Sequence, residues 1–210
     1  MSEVSDLDNE PVADLILASA SPRRSELLRQ IGVRFSVLAV DVDESRLPGE
    51  APVDYVSRLA LEKARAGFTR QPGQLPSLGA DTIVVCGDDI FGKPVDQADA
   101  AAMLLALSGK AHTVLSAVAV SQGPCSSGRL AQTIVRFRTI TESDCLNYWQ
   151  TGEPQGKAGG YGIQGYGAVF VQHIEGSYSA VVGLPLSETA EMLSEFGIPI
   201  WRPEPLVSIE

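Results

Sequence analysis

The sequence predicts a mixed α/β fold, in which a β-sheet with parallel and antiparallel strands carries flanking helices. Short apolar runs typical of strands alternate along the chain with segments of helical period. Turn signals place several hairpins among these segments, so the sheet is not purely parallel. The chain has 210 residues, 44% of them hydrophobic, which suffices for one domain with a sizeable core.

The chain begins with a strand, a helix and a second strand. Residues 15–19 are an apolar run that predicts a buried strand, and residues 33–40 predict the next one. The helix between them covers residues 22–31. It has residues suited to the N-cap, the first helical position and the C-cap at Ser21, Pro22 and Gly32.

A longer helix and a hairpin follow an acidic loop at residues 41–49. Residues 52–68 predict a helix with Lys63 placed away from its apolar stripe, which consists of Val53, Val56, Ala60, Ala64 and Phe68. A loop at residues 71–77 leads to a strand at residues 78–86. The turn signal Gly87-Asp88-Asp89 follows this strand and predicts a hairpin into a short strand at residues 90 and 91.

Two capped helices frame an antiparallel pair of strands. Asp96 is placed to cap a helix that runs to about residue 107, and Thr141 is placed to cap one that ends near residue 150. The strands between them are residues 112–121 and 129–140, joined by a hairpin loop at residues 121–128.

The last quarter combines a glycine-rich loop with a hairpin and a helix. Residues 152–167 contain seven glycines, too many for a regular element, which predicts close approach of the backbone to a ligand. Residues 168–174 and 177–182 predict a hairpin, and residues 185–196 predict the last helix.

Composition excludes several classes of function. The net charge of −10 argues against general binding of DNA or RNA, although a small anion remains possible where basic residues converge. No apolar run is long enough to cross a membrane. Residues 1–14 predict a flexible acidic tail without the features of a signal or transit peptide, ahead of a single domain at residues 15–210. Three scattered cysteines favour reduced thiols in a cytoplasm.

Arg23 and Arg24 lie in the first turn of the first predicted helix, where the helix dipole disfavours cations. Because free backbone N–H groups lie at the same place, a bound phosphate or carboxylate would account for both arginines. The alternative is two solvated arginines on an ordinary helix.

A carboxylate inside an apolar strand is the second signal. Asp81 needs a partner there, and the small Gly79 beside it leaves room for something bulky. Asp81 is therefore a candidate general base or metal ligand, or else an aspartate that satisfies a nearby turn. Lys93 follows the next hairpin, close enough to act on phosphate or on Asp81, or to be a solvated loop lysine.

Several segments in order along the chain resemble the Maf family of nucleoside triphosphate pyrophosphatases. They are Leu17-Ala18-Ser19-Ala20-Ser21-Pro22-Arg23-Arg24, Asp43-Glu44, Leu59-Ala60-Leu61-Glu62-Lys63-Ala64, Gly79-Ala80-Asp81-Thr82-Ile83-Val84, Gly92-Lys93-Pro94, Lys157-Ala158-Gly159-Gly160-Tyr161-Gly162-Ile163-Gln164-Gly165, Gly176-Ser177-Tyr178 and Val182-Gly183-Leu184-Pro185. The Tyr-Gly-Ile-Gln-Gly sequence resembles the branch that acts on dTTP and UTP.

The resemblance implies an elongated mixed sheet with two lobes around a cleft, similar to inosine-triphosphate pyrophosphatases. It implies hydrolysis of a nucleoside triphosphate to the monophosphate and pyrophosphate, with Asp81 as proton acceptor. It assigns specificity to Arg23, Thr82 and Gln164, and it places Glu44, Lys63 and Lys93 at the triphosphate and metal site. Ser19 and Arg24 are further candidates for substrate binding. A divalent cation, Mg²⁺ or Mn²⁺, is expected on Glu44 and Asp81, because magnesium favours one or two carboxylates together with substrate phosphates.

The resemblance also implies a homodimer that binds a nucleoside triphosphate. The cysteines, the net charge and the lack of a long apolar run predict a cytoplasmic protein with no polymeric nucleic acid and no membrane as partners. Two alternatives stay open from the sequence. One is the same reaction on another nucleotide, such as 7-methyl-GTP. The other is a non-catalytic, nucleotide-binding regulator of septum formation.

Overall fold

The protein is described by a computed structural model over residues 13–71 and 73–202. In this part of the chain seven strands form one sheet: β1 (Leu15–Leu17), β2 (Phe35–Val37), β3 (Ser77–Cys86), β4 (Asp89–Phe91), β5 (Ala111–Gln122), β6 (Cys125–Phe137) and β7 (Val171–Glu175). The α-helices are α1 (Pro22–Gln30), α2 (Pro52–Arg70), α3 (Gln97–Leu107), α4 (Glu142–Gln150), α5 (Tyr178–Val182) and α6 (Leu186–Glu195). The predicted mixed α/β class is confirmed.

The strand order places a gap in the middle of the sheet. The order is β2-β1-β3-β5-β6-β7, with β4 also paired to β3. β1 runs parallel to β2 and β3, and the remaining pairs are antiparallel. On one edge of β3, β1 pairs only as far as Leu78, whereas β4 pairs from Val84 onward. The stretch of β3 between them therefore has a free edge on that side.

Two cores cover the two faces of the sheet. On one face, α2 packs Val56, Ala60 and Ala64 against Ile83 of β3 and alanines of β5. The other face is covered by a larger core with residues from α1, α3, α4, α5 and α6. Successive residues of β3 alternate between these cores, as the two-residue period of a strand requires.

Local capping signals marked the helix starts correctly. The side chain of Asp96 accepts a hydrogen bond from Asp99 N at 2.8 Å, as predicted for the cap of α3. Thr141 and Asp144 form a full capping box at the start of α4.

Two predictions about hairpins were wrong. Residues 177–182 are helical rather than a strand, because the Ser177 hydroxyl caps α5 by accepting from Ala180 N at 3.2 Å. The predicted loop at residues 121–128 is only a two-residue turn, since Gln122 already pairs with Cys125 across β5 and β6. Gly123 permits this tight turn with a φ of +60°.

The predicted acidic tail lies outside the described residues, apart from its last two. Asp14, at its end, pairs with Arg34 Nε at 3.0 Å and with Arg202 at 2.8 Å, which fixes the chain where β1 begins. Among residues 13–71 and 73–202, no helix has the length and apolar character needed to span a membrane.

His112 of β5 is buried at 3% exposure and makes the fold sensitive to acid. Its Nε2 lies 2.9 Å from the Tyr161 hydroxyl, and its ring packs edge-on against Phe137. Burial lowers the pKa of His112 to about 4 from an ordinary value of 6.5. Between pH 4 and pH 6.5 the His112 imidazole is mostly protonated in the unfolded chain but mostly neutral in the folded chain. The free energy of unfolding should therefore fall below pH 6.5, by about 3 kcal/mol at pH 4.

Urea unfolding between pH 7.5 and pH 4.5 checks this prediction. In His112→Gln the unfolding free energy should fall much less between pH 6.5 and pH 4.5 than it does in the wild-type protein. His173→Gln is the matched control, because the other histidine of the chain is exposed in β7 and should leave the decline unchanged. Equal pH dependence of wild type and His112→Gln would contradict the assignment.

Candidate active site

A cleft of about 550 Å³ opens at the free edge of β3. Because β1 ends at Leu17 and β4 begins beyond the cleft, side chains from both faces of β3 border the same space. Asp81 reaches it from the α2 face and Thr82 from the opposite face. The volume falls in the range of small-molecule sites.

Every predicted site residue lines this cleft: Ser19, Arg23, Arg24, Glu44, Lys63, Asp81, Thr82, Lys93 and Gln164. With Lys157, five cationic side chains border it against two carboxylates. The cleft is therefore locally basic on a chain whose net charge is −10, which suits a polyanionic ligand. The structure brings these residues together around one cleft, and the role of each residue remains a prediction.

The centre of the cleft is a lysine shared by two carboxylates. Lys63 Nζ lies 2.7 Å from Asp81 Oδ1 and 2.6 Å from Glu44 Oε1. Lys63 and Asp81 are only 8% and 9% exposed. Burial raises the pKa of Glu44, but the hydrogen bond and charge of Lys63, with Lys93 and Arg24, bring it below its usual value.

The prediction that Lys63 lies away from the buried face of its helix was wrong. The buried side of α2 consists of Val56, Leu59, Ala60, Lys63, Ala64 and Gly67. The predicted stripe was displaced, since Val53 is 41% exposed. Lys63 is buried because two carboxylates on other elements compensate its charge.

Gly79 brings α2 close enough for Lys63 to reach Asp81. A Cβ at Gly79 would lie 2.3 Å from Ala60 O, 2.4 Å from Ala64 N and 2.9 Å from Lys63 Cβ. The small residue therefore makes room for the helix backbone, which is the bulky neighbour that the sequence predicted beside Asp81. Gly79 and Asp81 share a face of β3, two residues apart.

Gly79→Ala should separate α2 from β3 and displace Lys63 from Asp81. Because the two nearest atoms are backbone, we expect a loss of about 3 kcal/mol in unfolding free energy. Urea denaturation measures this effect. Gly73→Ala is the matched control, since a Cβ there meets no atom within 4 Å. Equal stability of the two variants would contradict the close approach.

The two arginines of α1 reach across to the end of α5. Arg24 Nε donates to Gly183 O at 3.0 Å, and Arg23 Nε donates to Val182 O at 3.3 Å. Burial lowers the pKa of both guanidinium groups; for Arg24 the nearby Asp81 opposes this effect. These carbonyls give the arginines a structural anchor that local reasoning from α1 did not foresee.

Small side chains complete the site around the arginines. Ser19 Oγ accepts from Arg24 Nη1 at 3.0 Å, and also from Ser21 N at 3.2 Å. Thr82 Oγ1 lies 2.9 Å from Ser116 Oγ on the neighbouring strand. Gln164 is exposed at the rim of the cleft, and its amide makes no hydrogen bond within residues 13–71 and 73–202.

Three side chains near the cleft were missed by sequence reasoning. The Tyr55 hydroxyl donates to Glu44 O at 2.7 Å and fixes the acidic loop. Its position eight residues before Lys63 places both on one face of α2, a spacing visible in the sequence. Tyr148, which precedes the glycine-rich loop, and Glu153, at the start of it, bind the backbone of residues 162–167; they gave no signal because both lie outside the segments that carry the family resemblance.

The metal prediction rests on two carboxylates. Within the described ranges, no group of three or more histidine, cysteine or acidic residues is arranged to hold a metal ion. Asp81 and Glu44 each use one oxygen on Lys63, and the second oxygen of each has no hydrogen bond among the described residues. An open pair of this kind fits Mg²⁺, which takes one or two protein carboxylates together with substrate phosphates.

Known proteins resemble the chain over most of its length. The profile of the family described as Maf-like protein matches residues 14–196. A protein of Saccharophagus degradans named dTTP/UTP pyrophosphatase is 56% identical over 193 residues, which cover 90% of this chain and 92% of that protein. A Shewanella protein with the same name is 55% identical over 192 residues, which cover 88% of this chain and 99% of that protein.

Solved structures are more distant. A nucleoside-triphosphatase / dITP/XTP pyrophosphatase from Mycobacterium abscessus aligns with 87% of this chain and 93% of its own. The identity is 17% and the TM-score is 0.43. A likeness of this degree carries no further argument.

Proposed function

The chain belongs to the Maf-like protein family, and from this premise we propose that it hydrolyses dTTP and UTP to the nucleoside monophosphate and pyrophosphate. The observation that carries the proposal is the cleft in which Lys63 joins Asp81 and Glu44 beside two arginines. The substrates are those named for relatives that are more than half identical over most of this chain.

The reaction needs a base beside the α-phosphorus. We assign this role to Asp81, whose Oδ2 has no hydrogen bond among the described residues and whose side chain lines the cleft. A water oxygen bonds to the α-phosphorus and gives its proton to the carboxylate. The bond from the α-phosphorus to the bridging oxygen breaks, and pyrophosphate leaves with its electron pair.

The cations of the cleft balance the charge that develops on pyrophosphate. Lys63, Lys93 and Arg24 all lower the pKa of Glu44, so their charges act at this carboxylate. Lys63 and Arg24 are held in position before substrate binds by the contacts described above. Fixed charges of this kind stabilise a transition state more than mobile ones do.

A divalent cation is part of the proposal and would be held by Glu44 and Asp81 together with substrate phosphates. Both carboxylates contact one ammonium group, and both side chains line the cleft. When bound, the cation supplies charge neutralisation and polarisation of the phosphate.

Selection of the nucleobase is assigned to Arg23, Thr82 and Gln164, which the family resemblance singles out. The Gln164 amide offers a donor and an acceptor, which match the O4 and N3–H groups shared by uracil and thymine. The predicted homodimer, the cytoplasmic location and the absence of nucleic-acid or membrane partners remain predictions.

Pyrophosphate release from a panel of triphosphates, with Mg²⁺ or Mn²⁺ and with chelator, tests the proposal. We expect the highest kcat/KM for dTTP and UTP, with loss of turnover in chelator. Equal or better turnover of 7-methyl-GTP would move the assignment to another nucleotide. Nucleotide binding without turnover of any triphosphate would favour the non-catalytic regulator.

A further inference from the structure

Tyr148 and Glu153 hold the glycine-rich loop on both sides of Gln164. The Tyr148 hydroxyl donates to Glu153 Oε1 at 2.6 Å and accepts from Gly162 N at 3.0 Å. The Glu153 carboxylate accepts from Tyr166 N at 2.7 Å and from Gly167 N at 2.9 Å. The loop is thus fixed two residues before Gln164 and again two and three residues after it.

Three of the seven glycines of the loop lie against this pair of side chains. A Cβ at Gly165 would lie 2.0 Å from Glu153 Oε2, and a Cβ at Gly167 would lie 2.6 Å from the Tyr148 hydroxyl oxygen. A Cβ at Gly162, which also lines the cleft, would lie 2.9 Å from Lys157 Cε and 3.0 Å from Glu153 Oε1. At Gly165 and Gly167 the backbone therefore closes on Glu153 and Tyr148.

The pair connects the loop to rigid structure. Tyr148 is buried in α4, and its ring packs edge-on against Phe170 at 5.0 Å. Arg138 pairs with Asp144 at 3.1 Å and so anchors the first turn of the same helix. Gln164 itself projects from the braced loop at the rim of the cleft.

A free glutamine amide does not discriminate between pyrimidines. It pairs with uracil in one orientation and with cytosine after half a turn, because it carries both a donor and an acceptor. Discrimination therefore requires that both the position and the orientation of the amide be fixed when the base is bound, and the position depends on the loop backbone.

We propose that Tyr148 and Glu153 are positioning residues for base selection, which hold the loop in the conformation that presents Gln164 to the base. The inference rests on the proposed function, since it assumes a pyrimidine nucleotide in the cleft. Neither side chain touches the reacting phosphate in this assignment.

The selectivity of the protein for UTP over CTP, as a ratio of kcat/KM values, tests the inference. Tyr148→Phe and Glu153→Gln should each lower this ratio about tenfold, chiefly by raising KM for UTP. Gln164→Ala should lower it as well. Adding Tyr148→Phe to Gln164→Ala should lower it no further, because the pair acts through Gln164.

Tyr178→Phe is the matched control, since Tyr178 is 48% exposed on α5 and does not line the cleft. It should retain the wild-type ratio. Thermal unfolding checks that each variant is folded, and Glu153→Gln keeps the test valid if Tyr148→Phe fails to fold.

The outcomes separate the inference from the proposed function. If Gln164→Ala lowers the ratio but Tyr148→Phe and Glu153→Gln both leave it unchanged, the inference fails and the proposed function stands. Equal losses of kcat/KM for all triphosphates, or losses that multiply in the double variant, would also overturn the inference. A wild-type protein that does not prefer dTTP and UTP would overturn the proposed function and the inference together.

Discussion

Asp81→Asn should release pyrophosphate from dTTP at least about 10²-fold more slowly than the wild-type protein while it still binds the nucleotide. The amide keeps the size of the side chain but does not accept a proton from water. Lys63 retains Glu44 as an ionic partner at 2.6 Å, so the cleft should keep its shape. Coupled phosphate detection measures turnover, and calorimetry with the α,β-methylene analogue of dTTP measures binding.

Asp88→Asn is the control for this experiment. Asp88 is exposed in the turn between β3 and β4 and does not line the cleft. It should leave both turnover and binding unchanged. Wild-type turnover in Asp81→Asn would mean that another group accepts the proton.

Lys63→Met should lower both the free energy of unfolding and the rate of pyrophosphate release. The change leaves Asp81 and Glu44 facing each other without the ammonium that both contact. Removal of one partner from a buried ion pair costs about 3 kcal/mol or more, and Glu44, which is half exposed, favours the lower end. Loss of a preorganised cation beside the phosphates should lower kcat by about 10²-fold.

Urea denaturation and pyrophosphate release measure the two effects of Lys63→Met. Lys110→Met is the matched control, because Lys110 is exposed and its substitution should change the unfolding free energy by less than about 0.5 kcal/mol. If Lys63→Met is as stable and as active as Lys110→Met, the shared lysine does not organise the cleft.

Local signals in the sequence predicted much of the fold. The helix starts at Asp96 and Thr141 depend on side-chain hydrogen bonds within a few residues, and the structure shows both caps. The helix after Ser21 is present as well, but Ser21 makes no side-chain cap hydrogen bond among the described residues; Pro22 at the first position suits the helix. Residues 177–182 were mistaken for a strand because their valines suit either state, and the deciding cap at Ser177 is a single hydrogen bond.

The composition of the site was predictable, whereas its internal contacts were not. The order of motifs along the chain identified the residues that line the cleft. The burial of Lys63 depends on Gly79, which allows α2 and β3 to approach, and no local pattern encodes that distance. The roles of Tyr148 and Glu153 depend likewise on a loop that returns to α4 from later in the chain.

The phosphorus that water attacks decides whether Asp81 acts beside the α-phosphorus. Hydrolysis of dTTP in water enriched in ¹⁸O, followed by mass spectrometry of both products, shows which phosphorus the water attacks. Attack at the α-phosphorus places one ¹⁸O in dTMP and none in pyrophosphate, and this is the expected result. Label in pyrophosphate, or release of inorganic phosphate with dTDP, would contradict the assignment of Asp81 as the base for water attack at the α-phosphorus.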